Sequence, residues 1–408
     1  MSKSFLPFLI YLSSIFILIF LTKITNNKFF LYISYLSLFP LFIYYVLLYF
    51  NNTKSISKNM FFIFALLVIF WISSCIGLIN INTAYSLQIF FAKYFTITLT
   101  FIVFIAIEKK EHITHIIYIF FIFIVLSSIY SIFQYQFGYL DFETVWATNM
   151  GKVHGLDVWT HEQRRPFGIF LYSSENALIM GLTLILTLVL NMKLFYKIIM
   201  ILIFSIAIVY TGTRTAWITM FISYIVYSVF AKDYKSLLYL FILGIVFIFM
   251  ILLNEDSSFA QRFLNITSAS SGASMLGRYE IWSNLLSTLD NHIIFGYGLG
   301  MNGFRLETIA DNMYLKLLAS TGLIGFLIFI LIITVTIFNI YKLNIDRKNK
   351  GILYALIFYY LILFLTGDHL ETFPLNIFFW IIIGIVFKLN FLQKEKNEHN
   401  ICSRTSYS

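Results

Sequence analysis

Ionisable side chains interrupt a few of the long apolar stretches of this chain, and these are the residues best suited to chemistry. Glu175 lies within the stretch from Phe167 to Leu190, and Lys93 lies within the stretch from Ala84 to Ile107. A helical rise of about 1.5 Å per residue places both at a similar depth of roughly 12–14 Å. A charge near the bilayer centre costs at least about 2.5–3.5 kcal/mol, so such residues are usually paired or functional. We predict a Glu175–Lys93 pair with a direct role of Glu175 in the chemistry. The alternatives are a structural ion pair, or a separate partner for each residue.

Lys316 is another basic residue within an apolar stretch, which runs from Asp311 to Ile340. It lies close to the outer end of that stretch. A lysine in this position can lay its methylene groups along apolar surface while its ammonium group reaches water. We therefore predict that Lys316 snorkels to the membrane interface.

Arg214 lies in a very short segment between two apolar stretches, Tyr210-Thr-Gly-Thr-Arg-Thr215. The planar guanidinium group matches two phosphate oxygens at once, and the surrounding threonines offer hydroxyl groups instead of apolar anchors. This pattern predicts binding of phosphate or pyrophosphate, with an interfacial anchor as the alternative. Arg164 and Arg165, before Pro166, and Arg278, at the start of an amphipathic stretch, are ordinary loop arginines when each is taken alone.

The sequence contains no motif for a cofactor in a context that would support cofactor binding. Gly298-Leu-Gly-Met-Asn-Gly303 fits a dinucleotide-binding pattern, but no strand–helix–strand unit surrounds it. The chain has no Walker lysine motif and no Asp-x-Asp pair, and the spacing of its histidines matches no zinc site. We therefore predict no metal and no nucleotide cofactor.

The elements that must position these residues follow from the composition. Of 408 residues, 60% are hydrophobic and only 12% are charged, and the mean hydropathy is +0.86. Soluble domains have roughly 25% charged residues. The composition thus excludes an ordinary soluble protein and predicts an all-α polytopic membrane protein. The net charge of +9 is spread over short loops, so a nucleic-acid-binding protein is excluded too.

Uninterrupted apolar stretches predict about 12 transmembrane helices. They run from Phe5 to Leu21, Phe29 to Phe50, Met60 to Ile79, Ala84 to Ile107, His112 to Phe133, Phe167 to Leu190, Leu194 to Tyr210, Thr215 to Phe230, Ser236 to Leu253, Asp311 to Ile340, Ile352 to Thr366, and Thr372 to Leu389. Lysine and arginine are more frequent in the segments on the amino-terminal side of the membrane, which favours both termini in the cytoplasm.

Two outer segments are much longer than the others, and loops of this length are usually functional. The predicted organisation is therefore helices 1–5 (residues 1–133), an outer loop (134–166), helices 6–9 (167–253), a large outer loop with an amphipathic helix (254–310), helices 10–12 (311–389) and a cytoplasmic tail (390–408). We expect this tail to be disordered because it is short and polar.

The large outer loop carries apolar residues at helical spacing: Ile281, Trp282, Leu285, Leu286 and Leu289. Such a stripe predicts packing on the membrane surface or on neighbouring helices. A groove for a lipid chain is the alternative.

Four segments, in this order, resemble the O-antigen polymerase and O-antigen ligase superfamily of bacterial surface-polysaccharide assembly. They are Arg164-Arg-Pro-Phe-Gly168 with Ser173-Ser-Glu-Asn-Ala177; Thr211-Gly-Thr-Arg-Thr-Ala216; Gly277-Arg-Tyr-Glu-Ile-Trp282 with Phe295-Gly-Tyr-Gly-Leu-Gly300; and Asp311-Asn-Met-Tyr-Leu315 with Gly322-Leu-Ile-Gly325. The resemblance covers about the second half of the chain.

The resemblance implies a GT-C-like membrane glycosyltransferase with large outer loops, located in the bacterial cytoplasmic membrane. Its substrate would be a glycan linked to undecaprenyl pyrophosphate at the outer leaflet, and it would need neither metal nor nucleotide. A chain-length regulator and a flippase of the same pathway are its possible partners. Arginines that bind the pyrophosphate would correspond to Arg165 (or Arg164), Arg214 and Arg278.

We expect a carboxylate to take the proton from the attacking sugar hydroxyl. Asp311 is the first candidate for this base and Glu175 the second. Asn176, Asn312 and Lys93 are candidate substrate-binding residues. Ligases of the superfamily carry a histidine before the asparagine at this point, where this chain has Asp311, and the difference favours a polymerase.

Three other functions compete with a polymerase. A ligase or other glycan transferase would use the same arginines. A flippase or transporter would also have many helices and intramembrane charges, but the long outer loops and the absence of a visible repeat argue against it. A non-enzymatic scaffold would tolerate alanine at Arg214, Arg278 and Asp311.

Overall fold

The computed structural model of the protein describes residues 4–51, 58–76, 90–154, 165–187, 192–234, 236–253, 269–289, 292–298 and 312–405. Every regular element in these ranges is helical. The α-helices are α1 (Phe5–Thr25), α2 (Phe29–Leu36), α3 (Leu38–Asn51), α4 (Lys58–Ile76), α5 (Thr98–Ala106), α6 (Lys110–Phe137), α7 (Asp141–His154), α8 (Ser173–Leu186), α9 (Leu194–Thr211), α10 (Arg214–Ala231), α11 (Ser236–Leu253), α12 (Ala269–Thr288), α13 (Met313–Lys342), α14 (Arg347–Leu363) and α15 (Leu375–Thr405).

In this part of the chain, 7 helical segments are long and apolar enough to cross a membrane. They are Phe5–Thr25, Phe29–Asn51, Lys110–Phe137, Leu194–Thr211, Arg214–Ala231, Met313–Lys342 and Leu375–Glu395. Shorter apolar helices cover Phe64–Cys75, Phe95–Ala106 and Ser173–Leu186. The chain is thus a polytopic helical membrane protein, as predicted, while the number of twelve spans stays a prediction.

The chain forms two compact units, which are described separately. The first unit comprises Met1–Ile10, Tyr35–His115 and Arg278–Ser408, and the second unit comprises Tyr11–Ser34 and Ile116–Gly277.

In the first unit, α15 packs along α5, and α13 packs along α4. Gly384 permits the close approach of α15 to α5, because a Cβ atom there would lie 2.9 Å from the Cβ atom of Val103. Small residues allow helices to pack closely within membranes. An aromatic cluster fills the core between α13, α14 and α15, where the rings of Phe364 and Phe379 lie 5.2 Å apart and those of Phe379 and Trp380 lie 4.9 Å apart.

Helix α13 is interrupted at Gly322, where φ is 68° and ψ is −173°. Segment 292–298, which precedes α13 in the chain, lies against this break. Four backbone hydrogen bonds join the two: Tyr297 N to Ala319 O, Gly298 N to Ser320 O, Leu323 N to Ile293 O and Ile324 N to Ile294 O. A continuous helix from Asp311 to Ile340 was the expectation, and the break corrects it. Glycine adopts positive φ without strain, and the loop segment satisfies the polar groups that the break frees.

In the second unit, α8 packs against both α9 and α10, and α11 packs against α9 and α10. Helix α11 exposes large apolar side chains at a spacing of three to four residues: Leu238, Phe241, Ile245, Ile248 and Leu252. A stripe of this kind in a membrane protein is suited to contact with lipid chains.

Three predicted helix boundaries are wrong. The helix expected from Phe167 begins only at Ser173, because Gly168 turns the chain at φ +56°. The stretch expected as one helix from Ala84 to Ile107 contains a π-helical turn at Phe90–Tyr94 and a 3₁₀ turn at Phe95–Ile97 before α5.

The third corrected boundary is at the carboxyl end, where α15 continues to Thr405, whereas a disordered tail after Leu389 was expected. Good helix formers such as Lys394 and Glu395 follow the apolar part of α15. Asn390 also holds the helix, since its Nδ2 atom donates a hydrogen bond to Asn339 Oδ1 at 2.8 Å.

Candidate functional site

The turn that precedes α8 in the second unit carries Arg165. The hydroxyl group of Tyr139 contacts this residue twice: it accepts from the backbone N–H of Arg165 at 3.1 Å and lies 3.1 Å from its carbonyl oxygen. The side chain then turns away from Tyr139, and Nε donates to the carbonyl oxygen of Thr211 at 3.1 Å. Arg165 is thereby attached to the turn between α9 and α10, although 46 residues separate it from Thr211 in the sequence.

The turn between α9 and α10 carries Arg214. Gly212 lies at φ 64°, in the left-handed conformation that commonly ends a helix. Thr213 occupies the N-cap position of α10 but makes no capping hydrogen bond with its side chain. Arg214 is the first residue of α10 and is half-buried. The structure thus places Arg165 and Arg214, two of the arginines predicted to bind pyrophosphate, at the same turn.

The amino terminus of α10 is suited to an anion. Unpaired backbone N–H groups and the helix dipole make the start of an α-helix favourable for phosphate groups. The Thr213 side chain is only 6% exposed, and among the described residues its hydroxyl oxygen has no hydrogen-bond partner. A phosphate oxygen at this helix end would accept the hydrogen bond that Thr213 can donate.

Aromatic residues flank the same turn. The rings of Tyr135 and Tyr210 stack with centroids 3.9 Å apart and an interplanar angle of 7°. Gln136 donates to the hydroxyl group of Tyr210 at 3.1 Å. The end of α6 is therefore joined to the end of α9, directly before Thr211.

Glu175 lies in the first turn of α8 and its side chain is buried, with 4% exposure. It is near the start of its helix, whereas the sequence predicted a position eight residues inside one. Because α8 begins at Ser173, the depth argument that paired Glu175 with Lys93 loses its basis. The side chain of Lys93 lies outside the described part of the chain, so the pair itself stays a prediction.

Asn176 is fully buried and holds two hydroxyl groups of α6. Its Oδ1 atom accepts from Ser127 at 2.9 Å, and its Nδ2 atom donates to Ser131 at 2.7 Å. Ser127 in turn accepts from the backbone N–H of Ile169 at 3.1 Å. These contacts assign Asn176 a structural part in anchoring the turn, and its role in substrate binding stays a prediction.

A buried ion pair that the sequence did not indicate lies next to this turn. Lys23 Nζ lies 2.9 Å from Glu143 Oε1, and both side chains have 0% exposure. The sequence around Lys23 contains no carboxylate, and Glu143 is 120 positions further along the chain, so no local pattern indicates the pair.

The first unit carries the other candidates. Asn312 caps α13, because its Oδ1 atom accepts from the backbone N–H groups of Tyr314 and Leu315 at 3.0 and 3.2 Å. The next residue, Met313, donates its N–H to the carbonyl oxygen of Phe364 at 2.8 Å. The start of α13 is thus fixed against the end of α14. Asp311, Arg164 and the ranges 254–268 and 299–310 lie outside the described residues.

Lys316 does not snorkel as predicted. It is buried, and its Nζ atom lies 2.9 Å from Asp368 Oδ2 and 2.8 Å from Glu371 Oε2. Tyr94 donates to the other oxygen of Glu371 at 3.0 Å. Two carboxylates from the segment between α14 and α15 thus replace water around the ammonium group, which removes the reason to snorkel. Sequence reasoning overlooked both carboxylates because they lie about 50 positions beyond Lys316 in the chain.

His369 follows Asp368 in that segment. Burial lowers the pKa of His369 to about 4, although the neighbouring Asp368 carboxylate acts in the opposite direction. Its Nδ1 atom is shielded from solvent and has no hydrogen-bond partner among the described residues. The imidazole ring is therefore neutral at physiological pH.

Arg278 is half-buried and lies on α12. The apolar stripe of α12 packs on α13, as predicted: Leu285 and Leu289 form a buried cluster with Ala319, and Ile281, Tyr297, Leu315 and Leu318 surround it. This contact confirms packing on a neighbouring helix.

The fold and these contacts define a multi-pass membrane protein in which Arg165 contacts the turn between α9 and α10 and Arg214 begins α10. Residues 198–330 match the family model described as O-antigen ligase. The matched segment contains Arg214, Arg278 and Asp311. No curated protein matches the chain.

The match confirms the resemblance to the O-antigen polymerase and ligase superfamily. Members of this family are membrane glycosyltransferase-like enzymes. The segment thus indicates an O-antigen ligase-like or polymerase-like function in a bacterial membrane. Arg165 and Glu175 precede the matched segment.

Proposed function

We propose that this protein is a polysaccharide polymerase that joins undecaprenyl-pyrophosphate-linked repeat units at the outer leaflet of the cytoplasmic membrane. A hydroxyl oxygen of one unit bonds to the anomeric carbon of another. The bond between that carbon and the pyrophosphate oxygen breaks, and the lipid pyrophosphate leaves with the bonding electron pair. One displacement of this kind inverts the anomeric configuration.

The observation that carries this proposal is the attachment of Arg165 to the turn before Arg214. Two guanidinium groups and the start of α10 together oppose the charge that develops on a leaving pyrophosphate. Such preorganised groups stabilise a transition state more effectively than mobile ones, because no reorganisation is needed as the charge forms. Arg164 and Arg278 are further candidates for contact with the pyrophosphate.

A carboxylate receives the hydroxyl proton in this proposal. Asp311 is the first candidate for the base and Glu175 the second, and general-base help of this kind contributes roughly 10²–10⁴-fold. Asn176, Asn312 and Lys93 are proposed to contact the substrate. The reaction as proposed uses neither a metal ion nor a nucleotide.

A polymerase is preferred to a ligase because this chain has Asp311 where ligases of the superfamily place a histidine. The proposed architecture is GT-C-like, with about 12 spans and both termini in the cytoplasm. A flippase and a chain-length regulator are proposed to act beside it. A ligase and a transporter are the alternatives, and the product is a capsule, an O-antigen or an exopolysaccharide.

The test is the size distribution of surface polysaccharide in a strain that lacks the gene, complemented with wild type or with Arg214→Ala. A polymerase predicts single repeats on the acceptor in the deletion strain and no restored ladder with Arg214→Ala. Arg347→Ala is a matched control, because Arg347 is also the first residue of a helix but is exposed and follows the capping residue Asp346. This variant should restore the ladder.

Other outcomes point to the other functions. Long chains that remain on the lipid carrier would show a ligase. Loss of both chains and single repeats from the surface would show a transporter. Full restoration by Arg214→Ala would contradict any role of this arginine in binding pyrophosphate.

A further inference from the structure

We propose that Lys23, Glu143 and Gln134 are positioning residues that fix the Arg165 turn. Through this turn they hold the Arg165 guanidinium group at the carbonyl oxygen of Thr211, at the end of α9. This inference rests on the proposed function, because it assigns the group that Arg165 meets as a pyrophosphate.

The pair is built into the turn itself. Lys23 Nζ donates to the carbonyl oxygen of Gly168 at 2.5 Å in addition to its contact with Glu143. The same ammonium group lies 4.3 Å from the ring centroid of Phe167. Glu143 accepts from Gln134 Nε2 at 2.7 Å and from the backbone N–H of Leu140 at 3.2 Å. Each charge of the pair is therefore satisfied by a further contact.

Gln134 holds the turn from the opposite side. Its Oε1 atom accepts from the backbone N–H groups of Phe167 and Gly168 at 3.1 and 2.8 Å. With the bond from Ile169 N–H to Ser127, three successive amides have buried side-chain acceptors. A Cβ atom on Gly168 would lie 2.2 Å from Ser127 Oγ, so the backbone is in close contact with α6. The turn therefore has one defined conformation.

Arg165 is close in sequence to the residues of the turn that these side chains hold. Only Pro166 separates Arg165 from Phe167, and the ring of Phe167 stacks on Tyr139 at 5.0 Å. Tyr139 is also the residue that contacts the backbone of Arg165. A shift of Phe167 or Gly168 would thus displace Arg165 from the Thr211 carbonyl oxygen.

A purely structural explanation accounts poorly for charged residues here. Burying an ion pair carries a large desolvation cost, and well-packed apolar residues often give equal or greater stability. A charged pair does have one advantage, because its hydrogen bonds are strong and directional. Lys23 donates such a directional hydrogen bond to the Gly168 carbonyl oxygen. Since Lys23 and Glu143 are fully buried, they act on substrate only through the turn, which makes them positioning residues.

The experiment compares wild type with the double variant Lys23→Met/Glu143→Gln, which removes both charges together, in nanodiscs. Affinity for undecaprenyl pyrophosphate is measured by native mass spectrometry, and the same comparison is made in an Arg165→Ala background. We expect about a tenfold loss of affinity in the wild-type background, because small misplacements of a binding group are costly. In the Arg165→Ala background the further loss should be less than about twofold, because residues that act through one another are not additive.

Ile124→Ala is the control for general destabilisation, since Ile124 is a fully buried apolar residue of α6 that takes no part in the turn. Ile124→Ala should lower the thermal stability. Its effect on the affinity for undecaprenyl pyrophosphate should be the same with and without the Arg165→Ala substitution. Hydrogen exchange at the Phe167, Gly168 and Ile169 amides gives a readout that needs no substrate. These amides should exchange faster in the double variant and not in Ile124→Ala.

Unchanged exchange at the three amides would overturn the inference, whatever the affinity. The inference would also be overturned if the double variant lost the same factor of affinity in the Arg165→Ala background as in the wild-type background, because the two effects would then be independent. If wild type failed to retain undecaprenyl pyrophosphate, the proposed function would fall, while the exchange result would still decide whether the pair holds the turn.

Discussion

Arg165 donates a hydrogen bond from its Nε atom to the carbonyl oxygen of Thr211, 3.1 Å away. This bond uses the one guanidinium nitrogen that lies within the side chain, so it fixes the direction in which the planar group extends. The contact orients the planar group at the turn that leads to Arg214. The side chain of Arg165 is therefore held in one orientation at this turn.

Arg165→Lys should weaken binding of a lipid pyrophosphate by about tenfold or more, because lysine cannot form the Thr211 contact and a two-oxygen contact at the same time. Isothermal titration of purified protein with the lipid measures the effect. Arg347→Lys is the matched control and should bind as wild type does. Equal affinities for wild type and Arg165→Lys would show that the planar group is not needed.

Gly168→Ala should destabilise the second unit by at least about 1–3 kcal/mol, because alanine is strained at positive φ. Its Cβ atom would also collide with Ser127 Oγ. Gly244→Ala is the matched control, since a Cβ atom at this position in α11 meets no atom of the described residues within 4 Å. Thermal unfolding in detergent should show a loss for the first variant and none for the second. An equal effect of the two changes would contradict the close packing of the turn.

Lys316→Met should destabilise the first unit by about 3–5 kcal/mol, because it leaves two carboxylates without their buried cation. Adding Glu371→Gln to Lys316→Met should recover part of the loss, since it removes one of the uncompensated charges. Both effects can be measured from unfolding midpoints in detergent. If Glu371→Gln lowered the stability of Lys316→Met further, this would argue against the ion-pair network of Lys316, Asp368 and Glu371.

The pH dependence of stability should contain a contribution from His369. Its folded-state pKa of about 4 lies below the ordinary value of about 6.5, so the unfolded chain binds a proton first as the pH falls. This contribution to stability is complete above about pH 6.5 and is lost progressively down to about pH 4, up to a total of about 3 kcal/mol.

The measurement is the unfolding midpoint of wild type and His369→Gln at intervals between pH 4 and pH 7. The variant should lose less stability than wild type over this range, because its side chain does not titrate. Parallel curves for the two proteins would show that the imidazole is accessible to protons in the folded state.

The helical elements follow from local sequence, which explains why they were largely predictable. Apolar runs long enough to span a bilayer identified α1, α6, α9 and α13, and the short polar run around Arg214 correctly marked the start of α10. The helix start before Glu175 was missed because Gly168 turns the chain only when Gln134 and Ser127 provide acceptors for the turn. These acceptors lie more than thirty positions away, so no local pattern reveals them.

The polar contacts of the candidate site depend more strongly on tertiary packing than the helix boundaries do. Lys316 looked like an interfacial lysine, because the sequence near it is apolar and carries no acidic partner at helical spacing. The sequence around Lys23 contains no acidic residue either. Their partners Glu143, Asp368 and Glu371 come from distant segments that tertiary packing brings close. Arg214 was recognisable because its neighbouring threonines are adjacent in the sequence.

The break at Gly322 has a consequence for the response of the protein to bilayer thickness. Helix α13 has 30 residues, and the part after the break is about 20 residues long, which is the length that one span needs. A span responds to a thicker or thinner bilayer by tilting. Backbone hydrogen bonds join segment 292–298 to residues 319–320 before the break and to residues 323–324 after it. A change in the tilt of this span should therefore move segment 292–298 and the start of α13 together with it.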